Sequence, residues 1–98
     1  MSESQQLIIR PECLRAAAEW TQPNGAEVEE MIRRTGLGAR AVARLLGLSE
    51  NGRRRVRRWI DEEAEIPYTA WALLCDLAGY ERIWLNSTRR PLPDVEDD

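Results

Sequence analysis

The sequence predicts an all-α fold, a small helical bundle containing a helix-turn-helix, and three observations carry that prediction. Apolar residues recur at three- and four-residue spacing in several short segments. Gly36, Gly47 and Gly79 stand just past the ends of those segments, where helices commonly stop. No stretch alternates apolar and polar residues strongly enough to read as a strand. The nearest, LII at 7–9 and RIW at 82–84, are short segments that could pair across two chains.

Taken in order, MSESQQ reads as a frayed end, and Pro11 opens a first helix over 11–20 with Leu14, Ala17 and Ala18 at helical spacing. TQPNG breaks the chain. Asn24 and Glu27 then form a capping-box signature for a helix through Arg34 that buries Val28, Met31 and Ile32, with Gly36 at its end. A short helix over 39–46 buries Val42, Ala43, Leu45 and Leu46 and stops at Gly47. The next, over 52–61, buries Val56, Trp59 and Ile60. DEEAE is a solvated connector, and Pro67 opens a last helix on which Trp71, Leu74, Cys75 and Ala78 share a face. PLPDVEDD, with two prolines and four acids, reads as a disordered tail. The organisation is an N-terminal extension with a short helix (1–23), a helix-turn-helix domain (24–85) and an acidic tail (86–98).

The 98 residues provide one core, and 43% hydrophobic with 32% charged content falls in the globular range. A core of this size gains from a partner chain, so a homodimer is plausible on energetic grounds. The longest uncharged stretch, 66–75, has ten residues including Pro67, too short to span a bilayer, and the N-terminus lacks signal-peptide features. The expected location is cytoplasmic. The chain has no histidine and two cysteines, Cys13 and Cys75. That removes zinc-finger spacing and cysteine–histidine dyads, and with no phosphate loop it argues against an enzyme, a metal or a cofactor. Both cysteines read as small packing groups in a reducing compartment; a disulfide between them is the lesser reading.

Charge is more informative by position than in total. The formal net charge is −3, yet between Arg33 and Arg58 nine arginines face one acid, Glu50, for a local +8, leaving −11 elsewhere. A positive stripe on an acidic protein points to an oriented contact with a polyanion. Within the stripe, AVARLLGLSENGRRRVRRW at 41–59 has the parts of a helix-turn-helix: Ala43 where two helices cross, Gly47 for the turn, and Leu48 as a plug between helices. Val56 and Trp59 anchor the second helix. At 100° per residue, Arg54 and Arg58 fall within about 20° of the direction opposite Val56, with Arg57 and Arg55 flanking them.

Guanidinium groups bond guanine O6 and N7 bidentately and an Asn amide suits adenine, so Asn51, Arg53, Arg54 and Arg57 are expected to read bases. Arg40, Arg44, Ser49, Arg55 and Arg58 are expected on phosphates. Tyr68 is a phosphate contact, a cap or a packing group. Trp59 and Trp71 belong to the core, whereas Trp20 and Trp84 fit either the core or a dimer seam.

GLGARAVARLLGLSENGRRRVRRWIDEEAEIPYTAWALLCDLAG, at 36–79, resembles the lambda-repressor-like (XRE-type) helix-turn-helix regulators, especially those of phages, plasmids and other bacterial mobile elements. LLGLS followed by IPYT and a last apolar helix is also similar to the anti-CRISPR-associated autorepressors. The resemblance spans about residues 24–85. It implies a homodimeric repressor on an inverted repeat in a promoter, often its own, with the dimer contact in the last helix and residues 80–85. The N-terminal helix is the second candidate for that contact. This chain has a longer segment than many members between Gly47 and Trp59, so SENGR either lengthens the turn or extends the recognition helix.

Two other readings compete with a palindrome-binding regulator of double-stranded DNA. An antitoxin-type protein would neutralise a partner protein and autoregulate its operon. A single-strand or RNA-binding module is weakened by the absence of Phe and of aromatics among the arginines.

Overall fold

In the computed structural model, residues 8–49 and 51–85 are described. The expected end 1–6 and the tail 86–98 lie outside them, as does Leu7 of LII. Among the described residues the protein is all-helical: α1 (Gly25–Thr35), α2 (Ala39–Leu45), α3 (Gly52–Ile60) and α4 (Tyr68–Leu77), preceded and followed by short 3₁₀ turns. α2 packs on α3, and α1 packs on both α3 and α4.

The first expected helix does not form. Two 3₁₀ turns, Pro11–Cys13 and Ala17–Glu19, replace it, separated by an extended Ala16 at φ −60° and ψ 157°. The carbonyls that an α-helix would use are occupied by tertiary donors. Glu12 O accepts from Thr21 N–H at 3.0 Å. Cys13 O accepts two indoles, Trp20 Nε1–H at 3.0 Å and Trp71 Nε1–H at 2.7 Å. Burying Ile9 and Cys13 and satisfying two indole donors outweighs a ladder on a weakly amphipathic segment.

α1 begins as its sequence signature requires. Asn24 Oδ1 accepts from Glu27 N–H at 2.8 Å, and Glu27 Oε1 accepts from Asn24 N–H at 2.8 Å. The Glu27 side chain, 2% exposed, also receives Arg10: Nε–H to Oε2 at 2.9 Å, Nη2–H to Oε1 at 2.8 Å, and the Arg10 backbone N–H to Oε2 at 3.1 Å. One carboxylate thus caps α1 and fastens the N-terminal segment to it. Val28, Met31 and Ile32 are buried, and Gly36 ends the helix at φ 79°.

α2 ends in a Schellman pattern, with Gly47 N–H on Arg44 O at 3.0 Å and Leu48 N–H on Ala43 O at 3.0 Å. Gly47, at φ 75°, takes the left-handed position that this turn needs. Val42 and Ala43 are buried and Leu46 is half-buried, but Leu45, expected in the core, is 49% exposed. The helix has only seven residues, and the crossing with α3 is made by the face that carries Ala43.

Of SENGR, Gly52 and Arg53 belong to α3, which starts at Gly52 with Asn51 at its N-cap. Val56 and Trp59 are buried and Ile60 is half-buried. DEEAE is an exposed connector with one added duty: Glu62, in the left-handed region at φ 62°, accepts from Gly25 N–H at 2.7 Å and so holds the start of α1 beside the end of α3. α4 follows Pro67 and runs through the core, burying Trp71, Ala72, Leu74 and Cys75, with Ala78 half-buried. Residues 82–84 are not a strand. Ile83–Leu85 is a 3₁₀ turn that drops Ile83 into the apolar core.

Cys13 and Cys75 are buried and free, which sets aside the disulfide. Trp59 and Trp71 lie in the core; Trp20 packs edge-on against Tyr68 at 5.1 Å, and Trp84 is 45% exposed. Among the described residues no helix is long and apolar enough to cross a membrane.

Candidate nucleic-acid interface

α3 presents its arginines because the core holds its opposite side at three points. Val56 and Trp59 are buried one turn apart, and Gly52 closes against α2. A Cβ at Gly52 would stand 2.8 Å from the Ala43 Cβ and 2.7 Å from the Leu48 Cβ. That close approach sets the angle between α2 and α3, and Arg53, Arg54, Arg55, Arg57 and Arg58 are exposed as a result.

The structure sorts the expected contact residues into three groups. Arg53, Arg54 and Arg57 line a cleft of about 440 Å³ with Ala39 and Ile60. Arg40, Arg44, Ser49 and Arg53 line a second of about 500 Å³, floored by Ala43 and Leu48, so Arg53 belongs to both. Arg55 and Arg58 lie on the other flank of α3, along a groove with Leu46, Trp59, Ala70 and Leu73. Asn51 is exposed at the N-cap of α3 and makes no side-chain cap there. Tyr68 is apart from all three groups: its hydroxyl donates to Arg15 O at 2.9 Å, and burial pushes its phenol pKa up.

Not all nine arginines of the stripe are free. Arg33 donates to Glu30 at 3.0 and 2.6 Å, and Arg34 donates to the same carboxylate at 2.7 Å. Arg34 also bonds the Tyr80 hydroxyl and lies 5.8 Å from the centre of that ring. Hydrogen bonds from Arg33 and Arg34 hold the Glu30 carboxyl at about 2. By contrast, among the described residues no carboxylate pairs with Arg40, Arg44, Arg53, Arg54, Arg55 or Arg57, and Arg58 has only a 3.9 Å contact to Glu63. Among the described residues, these seven arginines on α2 and α3 are thus left with their charge open to an external anion.

Sequence reasoning missed Gly52 as the contact that seats α3, although its phase on the core side of the helix was a usable signal. It also missed Arg10 as the partner of Glu27 and Gly25 as the close approach to Ile60, since both depend on contacts distant in sequence. Among the described residues no group of three or more potential metal ligands comes together.

No protein-family model and no solved structure matches the chain. Two curated proteins of Escherichia coli do, both called transcriptional repressor protein KorC. One is 55% identical and the other 53% identical over 76 residues, covering 78% of this chain and 89% of each relative. With identity of this level over most of both chains, on a helical fold that leaves seven arginines open on one helix pair, the chain belongs to the KorC family of transcriptional repressor proteins.

Proposed function

We propose that this protein is a DNA-binding transcriptional repressor that places α3 in the major groove as a homodimer on an inverted repeat, with a lambda-repressor-like helix-turn-helix in α2 and α3. The observation that carries this reading is the set of exposed arginines, free of close carboxylate pairing among the described residues, on a helix whose other side is locked into the core. Asn51 and Arg54 at the leading end of α3, and Arg57 farther along it, reach base edges, with Arg53 beside them. Arg40, Arg44, Ser49, Arg55 and Arg58 reach phosphates on either side. The Tyr68 hydroxyl, engaged by Arg15 O, is left to packing.

One α3 covers only a few base pairs, so two copies with recognition helices about 34 Å apart suit a palindromic site. Residues 80–85 offer the dimer contact, because Trp84 and Leu85 are 45% and 69% exposed. Such a protein works in the cytoplasm, at the nucleoid. It fits a plasmid or another mobile element that controls its own promoters, as the resemblance of segment 36–79 implies.

A footprint and a mobility-shift titration on the DNA upstream of the gene test the proposal. Protection of an inverted repeat at moderate salt, lost in Arg54→Ala, is the expected result. No sequence-selective binding, or binding unchanged by Arg54→Ala, would overturn it.

A further inference from the structure

Arg40 and Arg44 stand one turn apart on α2, Arg53 is the second residue of α3, and with Ser49 they surround a single cleft of about 500 Å³. Its floor is rigid: Ala43 is 5% exposed and is held against Gly52 and Leu48. Among the described residues no acid enters the cleft or pairs with any of the three guanidiniums. Three like charges around one concavity repel one another, and an oxyanion placed between them turns that repulsion into attraction. A phosphate group suits the donors, because guanidinium forks bond its oxygens pairwise and a serine hydroxyl supplies one more donor.

We infer that the α2–α3 cleft is a seat for one phosphate group and that Arg53 serves this seat instead of a base edge. Arg54 and Arg57, which line only the neighbouring cleft, are left with Asn51 to read sequence. The inference rests on the DNA reading above only for the source of the phosphate, since a backbone diester and free inorganic phosphate offer the same oxygens. A seat joining both helices to one phosphate would fix how deeply α3 enters the groove and in what register.

Thermal unfolding of the protein alone tests the seat, in sodium phosphate against sodium chloride at matched ionic strength. The wild type is compared with Arg40→Gln, Arg44→Gln, Arg53→Gln and Arg54→Gln, all exposed positions. Phosphate should raise the Tm of the wild type and of Arg54→Gln by the same increment, and raise it far less in the other three. An equal rise in all five, which is a general salt effect, or no rise in the wild type, overturns the seat. On DNA, Arg53→Gln should weaken a selected operator and an unrelated duplex by the same factor and lower the salt slope by about one. Weakening of the operator alone overturns the assignment of Arg53. If the wild type shows no operator selectivity, the DNA reading fails while the thermal comparison still decides the seat.

Discussion

The Ala43 Cβ lies 2.8 Å from where a Cβ on Gly52 would stand, closer than two such atoms can approach. The Leu48 Cβ is nearer still, at 2.7 Å, and neither atom is the far end of a flexible side chain. Gly52→Ala should therefore destabilise the fold by about 1–3 kcal/mol, even though alanine is the better helix former. It should also weaken DNA binding at temperatures where the protein stays folded, because α3 must tilt or slide. Chemical denaturation beside a mobility-shift titration separates the two effects. Gly25→Ala should cost more, since its Cβ would stand 1.9 Å from the Ile60 carbonyl oxygen, which is backbone.

Acid should weaken the protein through Glu27. Burial by itself pushes that carboxyl up, but hydrogen bonds from the Arg10 side chain and from the Asn24 and Arg10 backbones outweigh it and hold it at about 2 against an ordinary 4.5. A folded value below the unfolded one means that the stabilisation is complete above pH 4.5 and is lost as pH falls toward 2. Glu27→Gln should lower Tm at neutral pH and flatten its fall across that window. The share due to Glu30, also held at about 2, should remain. Thermal melts at several pH values check both.

Removing residues 1–23 should abolish cooperative unfolding. The deletion takes Ile9 and Cys13 out of the core, strips the Glu27 carboxylate of Arg10, and leaves the Trp71 indole N–H, donated to Cys13 O at 2.7 Å, without its acceptor. A shallow, probe-dependent melt of fragment 24–98 is the expected outcome. A sharp transition close to that of the full chain would mean that 24–85 is self-sufficient.

Arginines of the same stripe should differ in their effect on DNA. Arg33→Gln removes a charge already held by Glu30 at 2.6 Å and should change affinity by less than about twofold. Arg54→Ala, which loses a guanidinium that no carboxylate among the described residues pairs with, should cost about 1–3 kcal/mol on the operator. Titrations at one salt concentration make the comparison, and equal losses would show that total charge decides binding.

The thiols should be inert. Burial pushes Cys13 up to about 11 and Cys75 to about 12, so neither is a thiolate at neutral pH. A chromogenic disulfide reagent should find no reactive thiol in the native protein and two equivalents after denaturation. Rapid native reaction of either would contradict the packing described.

Local chemistry made most of the helical framework legible. Asn24 with Glu27 announced the start of α1, and Gly36, Gly47 and Gly79 announced helix ends that they occupy with φ between 75° and 97°. The periodicity around Val56 and Trp59 announced which side of α3 is buried, hence which arginines are exposed. Segment 11–20 misled because its helical signal was weak and its carbonyls had better partners far along the chain. Leu45 misled because apolar character alone does not tell which of two neighbouring leucines faces the crossing helix.

Helix positions and the exposed arginine face were thus determined by the sequence itself, because caps, glycine ends and 3.6-residue periodicity act over a few neighbours. Which arginines are already paired was decided only by the tertiary structure: Glu30 is shared by Arg33 and Arg34, while among the described residues no carboxylate pairs with Arg40, Arg44, Arg53, Arg54 or Arg57. The division of Arg53 between two clefts, the start of α3 at Gly52 and the fastening of Arg10 to Glu27 were decided there too. Each depends on distances between segments remote in sequence, which chain folding alone brings together.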